Sequence, residues 1–291
     1  MIDHLQPRFG LKWNPCTPDV PSGALYADAR VDNFCERVSH LMIKGGFAMV
    51  CGDPGTGKSA ALRILCHRLE EQRDVTVGMI TRPQASLSDF YREIGAVFRV
   101  NLRPSNRWGG SKLLRESWLD YFKSSTSRPV LIIDEAQEMK PVVLSELRLL
   151  ASFDLDSCAL LTIVLAGDGR LVERLRTEEF LPLDSRIRVR LKLERADTDT
   201  LRACLDHLLT EAGAPTLIDR DVIENLVDHA AGNLRSLMIM ADELITAAAV
   251  RNAPQIDAKL YFEVYDRKPH ANRTAVNNTA KKTMANSRRR Q

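Results

Sequence analysis

Residues 52–59 read Gly-Asp-Pro-Gly-Thr-Gly-Lys-Ser and satisfy the pattern G-x-x-x-x-G-K-[ST] in full. In this pattern the glycines let backbone N–H groups curl around a phosphate, and the following helix N-terminus adds its dipole. Lys58 is expected to reach the β- and γ-phosphates of a nucleotide, and Ser59 to bind Mg²⁺. A chance match at a turn is the alternative, but the motif falls between a predicted strand and a predicted helix. The residues expected around the nucleotide are Gly52, Asp53, Pro54, Gly55, Thr56, Gly57, Lys58, Ser59 and Ala60.

A second motif places two carboxylates, Asp134 and Glu135, directly after the apolar run of residues 131–133. Ligands bind at the carboxyl ends of strands in open α/β sheets, so both side chains are expected beside the nucleotide. Asp134 would hold Mg²⁺, and Glu135 would act as the general base toward an attacking water. An acidic pair after a strand is otherwise a plain helix cap, but its pairing with the first motif favours ATP hydrolysis with Mg²⁺.

A parallel sheet would bring these two motifs to one edge, and the order of the predicted strands and helices indicates such a sheet. Near-continuous apolar strands alternate with amphipathic helices, which is typical of a parallel sheet covered on both faces. The predicted strands are 45–52, 75–81, 129–135, 159–167 and 188–194. The predicted helices are 31–43, 58–72, 86–98, 141–153 and 169–180, with one more that ends near residue 123.

The pattern changes after residue 195, because apolar residues then recur at i, i+3 and i+4 and no strand is predicted. Three helical segments and a possible fourth make up this part. We expect a lead-in at 1–28, an α/β nucleotide-binding domain at 29–195, a helical domain at 196–266 and a disordered tail at 267–291.

Composition excludes several classes of protein. The chain has 291 residues, 44% hydrophobic and 27% charged, as in ordinary globular proteins. The apolar run at 158–166 is far shorter than the roughly 20 residues that span a bilayer, and no secretory signal is recognisable at the N-terminus. The six cysteines lack metal-ligand spacing, so reduced thiols in a cytoplasmic protein are expected.

Charge is unevenly distributed along the chain. Residues 268–291 contain seven Lys or Arg and no acid, so removing them from the net charge of +3 leaves −4 for residues 1–267. Such a tail is expected to be disordered when free. It is either a solubilising end or an arm that binds nucleic acid phosphates or a partner protein.

The motif spacing, with a helical domain directly after the fifth strand, resembles the AAA+ ATPases. This resemblance implies an α/β fold: a P-loop NTPase domain with a parallel five-stranded sheet, followed by a small helical lid domain.

The AAA+ resemblance implies roles for three further positions. Asp168 matches the sensor-1 position at the end of the strand after the acidic motif, although an N-cap for the next helix is the alternative. Arg186 is favoured over Arg188 and Arg190 as the arginine finger that reaches the ATP of a neighbouring subunit; a basic strand edge that discourages aggregation is the alternative. Arg235, in Gly-Asn-Leu-Arg at 232–235, resembles the lid's sensor-2 arginine, with a surface ion pair as the alternative.

The front of the chain resembles the ExeA-like branch of the AAA+ proteins. Residues 9–15, Phe-Gly-Leu-Lys-Trp-Asn-Pro, match its lead-in, although Cys16 stands where that branch usually has phenylalanine. The resemblance covers about residues 8–250. It implies that Leu25 and Tyr26 lie near the adenine, with ordinary packing as the alternative.

Relatives in this branch serve either secretion or mobile DNA. With no predicted membrane span and a basic tail, the chain resembles the transposition ATPases of the MuB, TniB and TnsC type. This implies a homo-oligomer, ring or filament, that assembles with ATP on double-stranded DNA, selects a target and activates a transposase or integrase. A protein-remodelling or secretion-linked ATPase and a helicase-loader-like ATPase are the alternatives.

The residues expected to contact DNA come from the segment 101–112. Arg103, Arg107 and Lys112 would meet phosphates, and Trp108 would pack against sugar or base. The alternative is a structured surface loop with a buried tryptophan. DNA strand transfer by the chain itself is not expected, since no separate carboxylate triad for metal is recognisable.

Overall fold

The computed structural model describes residues 9–81, 83–100, 112–114, 116, 128–153, 158–159 and 161–265. The predictions for Arg103, Arg107, Trp108 and the tail at 267–291 lie outside these residues.

A five-stranded parallel sheet forms the centre of the α/β domain, as predicted. Its strands are β1 (Gly46–Gly52), β2 (Val75–Ile80), β3 (Arg128–Ile133), β6 (Thr162–Gly167) and β7 (Ile187–Leu193). The two strands between β3 and β6, β4 (Ser152–Phe153) and β5 (Cys158–Ala159), form a separate antiparallel pair. The order in the sheet is β2-β3-β6-β1-β7. β6 lies between β3 and β1 and is parallel to both. The carboxyl ends of β1 and β3, which precede the two motifs, therefore lie at the same edge of the sheet.

Helices cover both faces of this sheet. They are α1 (Ala29–Leu41), α2 (Lys58–Glu70), α3 (Leu87–Val97), α4 (Pro141–Ala151), α5 (Gly169–Leu175) and α6 (Leu181–Asp184). On one face α1 and α2 pack against Val50 and Ile132. On the other face α3, α4 and α5 pack against Met49 and Leu131. Alternate residues of each buried strand thus serve two cores, which explains the near-continuous apolar runs of the sequence.

The lid domain is helical, as the periodicity after residue 195 predicts. It consists of α7 (Thr198–Glu211), α8 (Arg220–Ala230), α9 (Leu234–Val250) and α10 (Ala258–Tyr265). Its own core includes the fully buried side chains of Leu205, Leu226 and Leu244.

The first described residues of the lead-in pack against the lid. Leu11 and Cys16 are buried in the core of the lid domain, and the Lys12 N–H donates to the Ala212 carbonyl at 2.8 Å. The side-chain amide of Asn14 donates to Asp242 at 2.7 Å. Residues separated by about 200 positions in the chain therefore stabilise one structural unit.

Two predicted elements end earlier than expected. The helix predicted over 169–180 stops at Leu175, and a new helix begins at Leu181 with Pro182 in its first turn. Proline is well placed in a first turn because it lacks an N–H, whereas inside a continuous helix it removes a hydrogen bond. The helix predicted over 141–153 stops at Ala151, since residues 152–153 pair with 158–159.

Candidate functional site

The loop between β1 and α2 has the shape that phosphate binding requires. Gly55 and Gly57 adopt φ values of 84° and 97°, in the left-handed region that glycine tolerates best. Lys58 is only 8% exposed, and its ammonium group donates to the carbonyl oxygens of Gly52 at 2.7 Å and Asp53 at 3.1 Å. The lysine therefore spans the loop from the first turn of α2, and its ammonium group is bound to the carbonyls at the start of the loop.

The two carboxylates follow β3 at the same edge of the sheet. The Asp134 N–H donates to the Ile80 carbonyl at 3.1 Å, which fixes the end of the strand beside β2. Burial raises the pKa of Asp134, and the positive charge of Lys58 opposes this rise. Glu135 is exposed, and its φ of 52° turns the chain sharply after the strand. One carboxylate is thus turned inward beside the lysine, and the other faces solvent.

Gln137 joins Glu135 to the end of β6, and sequence reasoning missed it. Its amide nitrogen donates to the Glu135 carboxylate, and its amide oxygen accepts the Asp168 N–H at 3.3 Å. The sequence signal that was available is the amide two residues after the acidic pair, in Asp-Glu-Ala-Gln at 134–137.

Asp168 caps α5, which is the alternative that the sequence left open beside a sensing role. Its carboxylate accepts the Arg170 N–H at 2.9 Å and forms an ion pair with the Arg170 guanidinium at 2.9 Å. Burial would raise the pKa of Asp168, but the hydrogen bonds and charge of Arg170 outweigh burial and lower it. Arg170 also pairs with Glu138 at 2.9 Å. The capping role leaves the Asp168 backbone, rather than its carboxylate, in contact with Gln137.

The lid touches the phosphate loop through the start of α9. The side-chain amide of Asn233 donates to the Pro54 carbonyl at 3.2 Å and its oxygen caps α9 by accepting the Ser236 N–H at 3.1 Å. The Arg235 N–H donates to the Gly55 carbonyl at 3.3 Å, and the Arg235 side chain is exposed. A Cβ atom at Gly55 would lie 2.7 Å from the Asn233 amide nitrogen, so only glycine fits beneath the lid.

Comparison with known proteins agrees with this geometry. Residues 43–175 match the family model described as an AAA domain, and this segment includes the phosphate loop, both carboxylates and Asp168. Residues 43–175 are an AAA domain. The sequence resemblance to the ExeA-like branch is also confirmed by the relatives that follow.

Two curated relatives are similar to this chain over more than half of its length. General secretion pathway protein A of Aeromonas hydrophila is 27% identical over 253 residues, covering 85% of this chain and 45% of that protein. The ATP-dependent target DNA activator B of Escherichia phage Mu is 29% identical over 163 residues, covering 55% of this chain and 48% of that protein. The chain therefore spans about half the length of the curated relatives it matches.

A solved structure has the same fold. The ORC2 protein of Aeropyrum pernix, in ADPNP-ADP complexes, is 15% identical with a TM-score of 0.69, covering 87% of this chain and 71% of that one. At this identity the likeness shows the fold alone.

Arg186 lies at the opposite end of the sheet from the phosphate loop of the AAA domain. It precedes β7, whose first residue Ile187 pairs with Phe47, whereas Leu193 pairs with Gly52 at the start of the loop. Six residues of strand separate the two ends, which is about 20 Å at roughly 3.3 Å per residue. An arginine side chain cannot cover this distance, so Arg186 is not part of the site in its own subunit.

The two other arginines near β7 have different surroundings. The Arg190 guanidinium donates to the Asp184 carboxylate at 2.9 Å, within the same subunit. Arg188 is exposed, and its carbonyl accepts from Arg37 of α1 at 3.3 Å. The Arg190 side chain is therefore held against α6. Arg186 ends the turn after α6, and its backbone N–H donates to the Leu183 carbonyl at 3.0 Å.

Leu25 and Tyr26 lie between the lead-in and the lid. Both are half-buried and, like Leu234 and Met238 of α9, pack against a buried cluster that includes Cys204 and Leu208 of α7. The Tyr26 ring lies 5.6 Å from the His207 ring, and burial raises the pKa of its hydroxyl. The structure thus shows the packing that the sequence left open as the alternative, and contact with the adenine stays a prediction.

Of the four residues expected to contact DNA, the structure describes Lys112. It is exposed and lies 3.7 Å from Glu116 one helical turn on, so its charge is partly compensated. The other three lie outside the described residues, and the DNA contact stays a prediction.

The described cysteines have the properties of reduced, structural thiols. Cys16, Cys35, Cys51, Cys66 and Cys204 are free and buried. Burial raises the pKa of Cys66 to about 11 and that of Cys204 to about 12. Over the described ranges, the His, Cys, Asp and Glu side chains form no group of three that suits a metal ion. In that same part of the chain, the helices are too short or too polar to cross a membrane.

Proposed function

We propose that this protein is an ATP-dependent, DNA-binding regulator of transposition. Subunits that bind ATP and Mg²⁺ assemble on double-stranded DNA as a ring or filament, select the target and activate a partner transposase or integrase. Hydrolysis then releases the subunits. The observation that carries the assembly step is the distance of Arg186 from the phosphate loop of its own subunit.

The nucleotide site has a role for each charged residue. Lys58 would contact the β- and γ-phosphates, and Arg235 would reach the γ-phosphate from the lid. Glu135, exposed beside them, takes the proton of the attacking water as general base. Positioning and charge neutralisation supply most of the catalysis in phosphoryl transfer, so each residue is expected to affect the rate of hydrolysis more than the fold.

Mg²⁺ suits the oxygen donors that the two motifs offer, the Ser59 hydroxyl and the Asp134 carboxylate. Ser59 is exposed in the first turn of α2, and Asp134 is a carboxylate whose burial raises its pKa. A carboxylate and a hydroxyl are hard oxygen donors, which Mg²⁺ prefers. Bound there, the ion would neutralise charge on the phosphate oxygens.

Arg186 completes the site of a neighbouring subunit in this proposal. It cannot reach its own phosphate loop, and it lies at a turn before the edge strand of the sheet. An arginine supplied by a neighbour stabilises the charge of the transition state. Hydrolysis would then depend on assembly, and ATP would act as the timer of the assembled state.

The proposed role in transposition is supported by sequence similarity to a phage protein. The relative from phage Mu is a target DNA activator that depends on ATP, and its match covers 55% of this chain. The basic tail at 267–291 and the segment 101–112 supply cationic groups for phosphates.

A secretion-linked ATPase is the second candidate. The match to general secretion pathway protein A covers 85% of this chain, a longer stretch than the match to the phage protein. In this case the assembled ATPase would act on protein partners and would not need DNA.

DNA binding separates the two candidates. Fluorescence anisotropy with a labelled duplex would be measured with a non-hydrolysable ATP analogue and with ADP, over 50 to 200 mM salt. We expect binding with the ATP analogue alone, weakening about 10³-fold over this range if six phosphates are neutralised. Lys58→Ala is the matched control, because it lacks the phosphate contact but keeps the other cationic groups. Absence of binding at 50 mM salt with the ATP analogue would contradict the transposition proposal and favour the secretion-linked one.

A further inference from the structure

We propose that Gln137 is a positioning residue for ATP hydrolysis, which holds the Glu135 carboxylate in place and ties it to the end of β6. The inference rests on the proposed role of Glu135 as general base. It adds to that role a second side chain, one that touches neither the phosphates nor the water but acts through the base.

The hydrogen-bonding chemistry fixes the orientation of the Gln137 amide. A backbone N–H can only donate, so the amide oxygen must face Asp168, where the distance is 3.3 Å. An ionised carboxylate can only accept, so the amide nitrogen must face Glu135. A neutral amide provides both functions at once. A carboxylate at position 137 would repel Glu135, and a lysine would have no acceptor for the Asp168 N–H.

Gln137 is held firmly enough to orient another side chain. It is 9% exposed and lies between the buried residues Ala136 and Met139 in a short 3₁₀ turn after β3. Its carbonyl accepts from the Arg174 guanidinium of α5 at 3.2 Å, and Arg174 also donates to the Met139 carbonyl at 2.5 Å. The backbone of the turn is therefore attached to α5, and the side chain has little freedom to leave.

Gly167 leaves the room that this arrangement needs. A Cβ atom at position 167 would lie 2.6 Å from the Gln137 amide oxygen, which is closer than real contacts allow. The last residue of β6 thus accommodates the amide, and the next N–H along the chain binds it.

Glu135 depends on such a partner because of its surroundings. It is exposed and follows the strand in a left-handed conformation, so no packing in the sheet restrains its side chain. Glu138, three residues on, is paired with Arg170 instead. A base that must meet a water in line with the γ-phosphate gains from a fixed orientation, since a misplacement of about 1 Å costs up to roughly 100-fold in rate.

Two substitutions of Gln137 distinguish positioning from packing. Gln137→Ala removes both hydrogen bonds, and turnover of ATP is expected to fall about 10- to 100-fold. Gln137→Glu keeps the shape and the bond from Asp168 but loses the donor and adds a like charge, so its turnover should fall at least as far. The KM and the affinity for a fluorescent ATP analogue should stay within about twofold of wild type in both.

Gln84→Ala is the matched control. Gln84 is an exposed amide that donates to Glu138 at 3.5 Å, near the site but not on Glu135. Its removal should leave turnover unchanged.

A double-mutant cycle links the effect to the base. In the Glu135→Gln background, Gln137→Ala should cost no further turnover, measured in single-turnover reactions, because the two residues act as a unit. Additive losses would overturn the inference. So would wild-type turnover of Gln137→Glu, which would mean that the amide only fills space.

The outcomes for the base and for its positioning residue are separable. If Glu135→Gln hydrolyses ATP normally, the assignment of the base fails. If Glu135→Gln is inactive while Gln137→Ala and Gln137→Glu keep wild-type turnover, the base stands and the positioning role is refuted. Should Gln137→Ala lose its thermal transition, the isosteric Gln137→Glu decides the result.

Discussion

Replacing Arg186 with alanine tests whether one subunit completes the site of another. The register of β7 against β1 separates Arg186 from the phosphate loop by about 20 Å, at roughly 3.3 Å per residue. A preorganised donor to the transition state is worth about 10²–10³ in turnover. We therefore expect Arg186→Ala to lose turnover by this factor while its affinity for ATP stays near wild type, since its own phosphate loop is intact.

Mixing two inactive variants shows whether Arg186 acts between subunits. Arg186→Ala has an intact base but no finger, and Glu135→Gln has a finger but no base. In a random one-to-one mixture, half of the sites keep Glu135 and half of their neighbours keep Arg186, so about a quarter of the interfaces are complete. The mixture is expected to regain about a quarter of wild-type hydrolysis under conditions of assembly.

The assay is steady-state phosphate release with DNA present, for each variant alone and for the mixture. Arg220→Ala is the matched control, because this exposed arginine begins α8 in the lid. Wild-type turnover of Arg186→Ala would refute the reasoning. A mixture that hydrolyses no faster than the mean of the two variants would refute it as well.

Three further predictions concern the loop, the lid and Asp134. Gly55→Ala should abolish tight ATP binding, measured with a fluorescent analogue, because the φ of Gly55 is 84° and a Cβ atom there would meet Asn233. Gly169→Ala is the control and should bind normally, since the space around its Cβ is open. Equal affinities of the two variants would contradict the contact between lid and loop. Leu226→Ala removes a fully buried side chain of the lid core and should lower the free energy of unfolding by about 2–5 kcal/mol in urea titrations; a loss below about 1 kcal/mol would contradict the packing. Asp134→Asn should raise the Tm of the nucleotide-free protein at pH 7, because burial raises the pKa of this carboxyl and folding therefore favours its uncharged form. The gain in Tm should shrink as the pH falls through the raised pKa of the folded state, and it should vanish only below 3.8, the ordinary pKa, where the wild-type carboxyl is protonated in both states. A pH-independent or absent gain would show that burial of the charge is not the cause.

Local sequence patterns predict the fold class and the nucleotide loop. The motif at 52–59 carries its own conformation, because its glycines occupy left-handed positions and its lysine folds over the loop. The apolar runs before Asp134 and Asp168 predict buried strands, and both strands lie in the sheet. These features depend on residues close in sequence, which is why they are recognisable without a structure.

Contacts between distant segments are not recognisable in this way. The strand order places β6 between β1 and β3, and this arrangement brings Gln137 to the Asp168 N–H, a contact across 31 positions. The packing of Leu11 into the lid core likewise joins the two ends of the described chain. Sequence spacing specifies neither contact, so the lead-in was predicted as a separate segment and Gln137 was missed.

Asp168 illustrates a different limit. The sequence leaves a sensing role and a capping role open, because a polar side chain directly after a strand suits both. The structure shows the capping hydrogen bond to the Arg170 N–H. A sensing role for its carboxylate would require the Arg170 ion pair to open, and this stays a prediction.

Assembly on DNA is the central claim, and electron microscopy tests it most directly. The protein would be imaged with duplex DNA and a non-hydrolysable ATP analogue, alongside the same sample with ADP. We predict rings or filaments on DNA with the ATP analogue and separate particles with ADP. Discrete particles off DNA with both nucleotides would contradict the account.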